Sequence, residues 1–148
     1  MKKMDRLVSL TTFLILLIVN TPLIDADRPV FISNAIVQLA KPLTESCKST
    51  TNVTDEQIRK VNTGNFEDGK IIGCYSHCLW QKMDLLDEND NIKTEIIEAL
   101  LPDEFKGNII QTLLTCQKRH PPKDDKCDRS FSIQKCYYEI SPQTFYML

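Results

Sequence analysis

The residues of this chain whose chemistry depends most on spacing are its cysteines. Six are present, separated by gaps of 26, 3, 37, 10 and 8 residues: Cys47, Cys74, Cys78, Cys116, Cys127 and Cys136. An even number of cysteines behind an apolar leader is typical of an exported protein, whose thiols pair in an oxidising compartment. We therefore predict three disulfides, each contributing about 2–4 kcal/mol to stability.

Cys74 and Cys78 lie one helical turn apart, and this spacing constrains the pairing. Side chains at this spacing have Cβ atoms about 5–6 Å apart, whereas a disulfide needs about 3.5–4.5 Å. The two cysteines are therefore not expected to bond to each other, although several pairings stay open. In each of them the segment around Cys74 and Cys78 is joined to two other segments, so it should be the hub of the fold.

A metal site is the alternative use of this segment, because zinc accepts the side chains of Cys74, His77 and Cys78. Export into an oxidising compartment favours disulfides over thiolate ligands. We therefore expect neither a metal nor a cofactor, and we interpret His77 as a surface histidine or a hydrogen-bonded core histidine.

Residues 1–26 have the pattern of a signal peptide. Lys2, Lys3 and Arg6 precede a nearly uncharged run over residues 7–19, and Ala26 offers a small residue for cleavage. This run is short for a membrane span, and a signal anchor is the alternative interpretation. Cleavage after Ala26 would leave residues 27–148 as one secreted domain.

The charge of the mature chain is slightly negative. Removal of residues 1–26 takes away three of the 18 basic and two of the 20 acidic residues, which leaves 15 against 18. This balance gives no reason to expect binding to nucleic acid or to an anionic membrane surface. No second apolar stretch approaches the length of a membrane span, so we predict no stable membrane insertion.

Apolar residues at helical spacing predict an all-α fold with about six short helices. The chain has only four glycines and no paired alternating stretches, which argues against a β-sandwich or barrel. The predicted helices lie near residues 34–48, 54–61, 68–83, 92–101, 103–118 and 125–140. Pro42 should kink or divide the first helix, and Thr54 with Gln57 should form a capping box at the start of the second.

The cysteine spacing resembles that of the insect odorant-binding proteins, the pheromone and general odorant-binding family, over the whole mature chain. The gaps of 3 and 8 residues are the most restrictive part of that family's pattern, and both match. The other matching residues are Lys41-Pro42-Leu43, Cys74-Tyr75, Leu101-Pro102, Lys135-Cys136-Tyr137, Pro142 and Phe145-Tyr146.

The resemblance implies a compact bundle of six helices around an apolar cavity. It also implies the pairs Cys47–Cys78, Cys74–Cys127 and Cys116–Cys136. A member of this family would be a secreted, non-enzymatic carrier that takes small hydrophobic odorant or pheromone-like molecules through the lymph of sensory hairs to an olfactory receptor. A weak homodimer stays open.

Residues at positions matching the family's cavity are apolar or aromatic. They are Leu79, Met83, Ile97, Leu101, Ile109, Ile110, Leu113, Tyr137, Phe145 and Tyr146. Tyr137 follows the sixth cysteine, where many family members place an aromatic ring against the ligand. From the residues alone a solid core is the alternative, since apolar helical stripes usually pack as core.

The tail has an apolar tip formed by Phe145, Tyr146 and Leu148. It resembles family members whose C-terminus folds back as a lid over the cavity, with Tyr75 as the position that would donate to the terminal carboxylate of Leu148. Protonation of that carboxylate would weaken the contact and loosen the lid. A frayed tail is the alternative.

Asn52-Val53-Thr54 is a glycosylation sequon in a chain predicted to be exported. Thr54 also has a structural explanation, as the cap of the second helix. Glycosylation of Asn52 is therefore left open.

Two further functions have to be distinguished from the carrier. A secreted lipase is disfavoured, because the chain contains neither a G-x-S-x-G elbow nor an H-E-x-x-H helix. A helical protein-interaction module would show an exposed apolar patch in place of an enclosed cavity. A carrier of lipids or plant compounds outside olfactory tissue would share all the features above.

Overall fold

The computed structural model describes residues 28–148, which form six α-helices and one short 3-10 helix. They are α1 (Asn34–Thr51), α2 (Asp55–Asn62), α3 (Gly69–Lys82), α4 (Glu95–Leu100), α5 (Asp103–Arg119), α6 (Lys126–Ile140) and the 3-10 helix Pro142–Thr144. The all-α prediction is confirmed. The predicted signal peptide, residues 1–26, lies outside the described residues. Over residues 28–148, no helix has both the length and the apolarity that crossing a membrane requires.

The first two helices begin at polar residues that cap their free N–H groups. The Ser33 hydroxyl accepts from the N–H of Ile36 at 3.2 Å. The predicted capping box is confirmed, because the Thr54 hydroxyl accepts from the N–H of Gln57 at 3.2 Å and the Gln57 side chain accepts from the N–H of Thr54 at 2.9 Å. These reciprocal bonds fix where the chain enters α2.

Pro42 lies inside α1 and does not divide it. A proline in a helix interior removes one backbone hydrogen bond and costs about 3 kcal/mol. The helix nevertheless continues for 18 residues, because its buried face includes Ile36, Ala40 and Cys47, which are at most 7% exposed. Of the two effects predicted for Pro42, division of α1 does not occur, since burial on both sides of the proline offsets its local cost, and a kink stays a prediction.

The fourth helix is shorter than the predicted span, because Ile92 lies outside it. An Asp87 carboxylate oxygen accepts from the N–H of Asn91 at 2.7 Å, and the resulting turn pairs Leu86 with Ile92 in an antiparallel bridge. Ile92 is 6% exposed. Its apolar side chain therefore reflects burial beneath a turn, and the prediction that it belongs to α4 was wrong.

The disulfides implied by the family resemblance are confirmed. Cys47–Cys78 joins α1 to α3, Cys74–Cys127 joins α3 to α6, and Cys116–Cys136 joins α5 to α6. No cysteine within residues 28–148 is free. The segment carrying Cys74 and Cys78 is therefore joined to two other helices, as its spacing predicted, and both of these thiols are committed to disulfides.

The close approach of α3 and α6 depends on Gly73. A β-carbon built at this position would lie 2.0 Å from the carbonyl oxygen of Cys127 and 2.9 Å from the Cβ of Phe131. Real β-carbons never come so close to backbone oxygen, so only glycine allows the two helices to approach this closely. The neighbouring Cys74–Cys127 bond, with Cα atoms 4.3 Å apart, spans the same contact.

Arg129 on α6 holds the segment between α3 and α4 in place. Its side chain is 4% exposed. Its Nε donates to the carbonyl oxygen of His120 at 2.9 Å, and its Nη1 donates to that of Asp90. Because two main-chain carbonyls share one buried guanidinium, the loop after α3 and the end of α5 are fixed relative to α6.

Candidate ligand-binding cavity

An apolar cavity of about 180 Å³ lies between α3, α4, α5, α6 and the C-terminal segment 144–148. The helices contribute side chains at helical spacing, so that Ile109 and Leu113 face it one turn apart on α5. Leu79 and Tyr137 face it from α3 and α6, and each is at most 5% exposed. The cavity is therefore lined by side chains of the packed core, and it is partly open to solvent.

A small polar network lies behind one wall of the cavity. The Tyr137 hydroxyl is 3.0 Å from Thr144 Oγ1, which is 2.7 Å from Ser141 Oγ. Ser141 Oγ donates to Asn108 Oδ1 at 3.0 Å. Burial raises the pKa of Tyr137, and its hydrogen bond to Thr144 partly opposes that rise. The network fixes the Tyr137 ring and the start of the tail against each other.

The tail closes the cavity as a wall, and Asn62 at the end of α2 holds it there. The Asn62 amide nitrogen donates to the carbonyl oxygen of Met147 at 2.9 Å. The N–H of Met147 donates to Asn62 Oδ1 at 2.7 Å. One side chain therefore satisfies both main-chain groups of Met147, as a neighbouring β-strand would. We call these two bonds the Asn62 clamp.

Tyr75 supplies a second contact to the tail. Its hydroxyl donates to a main-chain oxygen of Leu148, as the family resemblance implied. Burial raises the pKa of Tyr75 above its ordinary value of 10.0, and the negative charges of Asp55 and Glu45 raise it further. The phenol therefore stays protonated, and able to donate, throughout the physiological pH range.

Apolar packing also holds the tail in place. Phe145 is 5% exposed and Met147 is 4% exposed. The Phe145 ring has its centroid 5.4 Å from that of Tyr138, 5.8 Å from that of Tyr137 and 6.0 Å from that of Phe66, within the range of favourable aromatic pairs. The structure thus favours the predicted folded-back tail over the frayed one.

A small pocket on the far side of Trp80 is rich in positive charge. It is lined by His77, Trp80, Leu86, Asp90, Lys123, Lys126, Arg129 and Ser130. Lys126 forms an ion pair with Asp90. Burial lowers the pKa of His77, and the charges of Lys126 and Arg129 lower it further. The folded protein therefore favours neutral His77.

This environment predicts that His77 contributes to loss of stability in acid. The folded state holds the imidazole proton more weakly than the unfolded state does, so stability is retained above the ordinary histidine pKa of 6.5 and declines as the pH falls below it. Urea unfolding of His77→Gln should therefore show a smaller drop between pH 7 and pH 5 than the unsubstituted protein. In an NMR titration, Lys126→Met should raise the pKa of His77. A His77 pKa at or above 6.5 would contradict the prediction.

The model of the PBP/GOBP family matches residues 31–140, which include all six helices and all three disulfides. The chain belongs to the PBP/GOBP family. The predicted identification as an insect odorant-binding protein of the six-cysteine type is confirmed.

Curated relatives of this PBP/GOBP protein are general odorant-binding proteins. General odorant-binding protein 72 of Anopheles gambiae is 26% identical over 107 residues, a match that covers 70% of this chain and 88% of the relative. General odorant-binding protein 69a of Drosophila melanogaster is 23% identical over 131 residues, a match that covers 88% of this chain and 87% of the relative. The similarity therefore extends over nearly the whole length of both relatives.

Solved structures show the same fold. Odorant binding protein 5 of Apis mellifera superposes with a TM-score of 0.66 at 20% identity, covering 78% of this chain and 96% of that one. Odorant Binding Protein 7 of Anopheles gambiae gives a TM-score of 0.62 at 26% identity, and the match covers 79% of this chain and 98% of that one. That protein has four disulfide bridges and its structure is in complex with an azo compound. Members of the PBP/GOBP family thus share this helical bundle at low sequence identity.

Nine of the ten residues predicted to contact ligand line the cavity of this PBP/GOBP member. They are Leu79, Met83, Ile97, Leu101, Ile109, Leu113, Tyr137, Phe145 and Tyr146. Ile110 is half-buried but not part of the lining. The expectation that it lies on the cavity wall has to be corrected, because it is one residue, about a quarter turn, away from Ile109 around α5. Ligand contact itself stays a prediction for the other nine.

Eleven lining residues were not among the predicted ligand contacts, although Leu148 was expected in the lid. They are Phe31, Ile32, Ile36, Ser76, Trp80, Leu85, Leu100, Gln134, Thr144, Met147 and Leu148. Helical spacing could have suggested Gln134, which lies three residues before Tyr137 on the same face of α6. The Asn62 clamp was also missed, because an asparagine at the end of a helix gives no indication that it binds a segment 85 residues away.

Proposed function

We propose that this PBP/GOBP protein is a secreted, non-catalytic carrier that binds small hydrophobic odorant or pheromone-like molecules and takes them through aqueous lymph to olfactory receptors. Its leader pattern and its three disulfides support secretion. Carriage of lipids or plant compounds outside olfactory tissue would use the same site. The single observation that supports the carrier most is the apolar cavity behind the folded-back tail.

The size and lining of the cavity suit a small volatile molecule. Its volume of about 180 Å³ is slightly above the roughly 150 Å³ of an apolar protein cavity that holds benzene. Burial of apolar surface contributes roughly 25 cal/mol per Å² removed from water. A ligand of this kind would bind with a micromolar dissociation constant, which corresponds to about −8 kcal/mol.

Filling the cavity with a larger side chain should reduce binding. Leu113 lines the cavity, whereas its neighbour Leu114 is 41% exposed and does not. We expect Leu113→Trp to weaken binding of N-phenyl-1-naphthylamine at pH 7 by about tenfold, because the indole would occupy the ligand's space. Leu114→Trp, the matched control, should leave the affinity unchanged. The measurement is probe fluorescence, followed by displacement of the probe with a panel of odorants.

The outcomes separate the candidate functions. Saturable one-site binding that Leu113→Trp weakens, and Leu114→Trp does not, supports the carrier. Equal effects of the two variants would place the probe outside the cavity. No saturable uptake by the oxidised, folded protein would contradict the carrier and favour a protein-interaction module.

We expect release in acid to be partial. Where the Leu148 oxygen bonded to Tyr75 belongs to the terminal carboxylate, protonation removes its charge and weakens the contact. The Asn62 clamp joins groups that do not titrate, so it should still hold Met147 at pH 5. A terminal carboxyl is ordinarily protonated only near about pH 3–4, so the same displacement assay should show little change between pH 7 and pH 5, and weaker binding without complete loss at about pH 3.

A further inference from the structure

Some polar groups of the cavity wall already form hydrogen bonds within the protein, and others do not. The Tyr137 and Thr144 hydroxyls are committed to the polar network with Ser141 and Asn108. The Ser76 hydroxyl, 1% exposed, donates its hydrogen to the carbonyl oxygen of Ile72 at 2.9 Å. A hydroxyl whose hydrogen is used in this way can only accept from a further partner.

The engaged Ser76 hydroxyl fixes the orientation of the neighbouring amide. The Gln134 amide nitrogen donates to Ser76 Oγ at 3.4 Å. The opposite orientation of the amide would place two acceptors against each other, since Ser76 has no hydrogen left to give. The amide oxygen of Gln134 is therefore directed away from Ser76, and it has no hydrogen-bond partner among residues 28–148.

This oxygen is an unused acceptor in a largely apolar wall. Gln134 is half-buried and lines the cavity. Within residues 28–148 no fully buried side-chain oxygen or nitrogen lacks a partner, so the Gln134 oxygen is accessible. An apolar molecule entering the cavity would cover it without replacing its hydrogen bonds to water, which is costly.

We propose that Gln134, oriented by Ser76, anchors the hydroxyl of an aliphatic or aromatic alcohol, and that the cavity prefers such ligands to ethers of the same size. The inference rests on the proposed carrier function and names the ligand class for that site. The alcohol donates to the Gln134 oxygen while its hydrocarbon part lies against the apolar walls. An ether offers no hydrogen to this oxygen and leaves it unpaired.

Trp80 is the competing polar group. Its indole N–H has no partner among residues 28–148, and its ring lies between the cavity and the small basic pocket. An N–H donor would hold an ether oxygen and an alcohol oxygen alike. The ratio of alcohol affinity to ether affinity therefore distinguishes an acceptor in the wall from a donor.

The test is calorimetric titration with octan-1-ol and 1-methoxyheptane, which have the same number of heavy atoms. We expect the oxidised protein to bind the alcohol about 2–10 times more tightly than the ether. In Gln134→Leu the preference should vanish or reverse. Ser76→Ala removes the oxygen that orients the Gln134 amide, so it should reduce the preference for the alcohol. Gln111→Leu, an exposed glutamine on α5 outside the lining, should keep the full preference.

Three results would overturn the inference. The first is equal binding of alcohol and ether by the unsubstituted protein, and the second is a preference that survives in Gln134→Leu. The third is a preference lost in Trp80→Phe but kept in Gln134→Leu. Each would be seen in a protein that still takes up N-phenyl-1-naphthylamine, whereas absence of saturable probe uptake by the folded protein would instead contradict the carrier function.

Discussion

Deletion of residues 145–148 is expected to lower the affinity for an apolar probe at pH 7 by more than tenfold. The deletion removes one wall of the cavity, because Phe145, Tyr146, Met147 and Leu148 all line it. It also exposes the rings that Phe145 covers. Burial of a large apolar side chain contributes about 1.5–3 kcal/mol, so stability should fall by about 3 kcal/mol or more. Probe titration measures the affinity, and circular dichroism verifies that the helices persist.

Substitution of Asn62 tests whether the position of the tail matters apart from the side chains that the tail contributes to the cavity. Asn62→Ala removes both bonds of the clamp and keeps every tail residue. We expect it to weaken binding about 3–10-fold, since each hydrogen bond contributes about 0.5–1.5 kcal/mol. Asn89→Ala, an exposed asparagine between α3 and α4, is the matched control and should bind normally. Unchanged affinity in both the deletion and Asn62→Ala would show that the tail is not a lid.

Gly73→Ala should be among the most destabilising single substitutions in the protein. The added methyl carbon would lie 2.0 Å from the Cys127 carbonyl oxygen and 2.8 Å from its carbonyl carbon. These are backbone atoms, which cannot turn aside as a flexible side chain can. The helices α3 and α6 must therefore separate, against the Cys74–Cys127 bond beside them. We expect a loss of about 3 kcal/mol or more, at the upper end of overpacking costs.

Gly107→Ala is the control for that substitution. Gly107 lies inside α5, and a β-carbon there would meet nothing within 4 Å. Replacement should stabilise the protein by about 0.5–1 kcal/mol, because alanine favours a helix more than glycine does. Urea unfolding of the oxidised proteins measures both effects, and peptide mapping verifies the disulfides. A Gly73→Ala protein within about 0.5 kcal/mol of the unsubstituted one would contradict the close approach of α3 and α6.

The parts of the fold that were predictable from the sequence follow from local periodicity. Helical spacing located the six helices, and the capping box at Thr54 fixed one boundary to the residue. The spacing of the cysteines excluded a bond between Cys74 and Cys78, and the family resemblance supplied the pairing that the structure confirms. Local rules failed at Ile92, where burial determined the backbone conformation, and α1 is not divided at Pro42.

The features that were not predictable join residues far apart in the chain. Asn62 meets Met147 across 85 positions, and Gln134 meets Ser76 across 58. No periodicity relates such pairs, so only the folded structure brings them together. The need for glycine at position 73 was likewise not predictable, because the sequence of a helix does not show which neighbouring backbone comes close to it.

Glycosylation of Asn52 in the sequon stays open. Asn52 is exposed at the end of α1 with a φ of 58°. Its side chain forms no hydrogen bond to another residue of the described part of the chain. Thr54 is engaged in the capping box, as expected.

The Asn62 clamp recognises the peptide backbone of Met147 and not its side chain. This part of the closure of the cavity does not depend on a particular side chain in the tail. Tyr146 and Leu148, which line the cavity, can be exchanged to reshape its wall while the same asparagine and the packing of Phe145 keep the segment in register. Selectivity in this carrier can therefore diversify at its C-terminus without the helical scaffold being rebuilt.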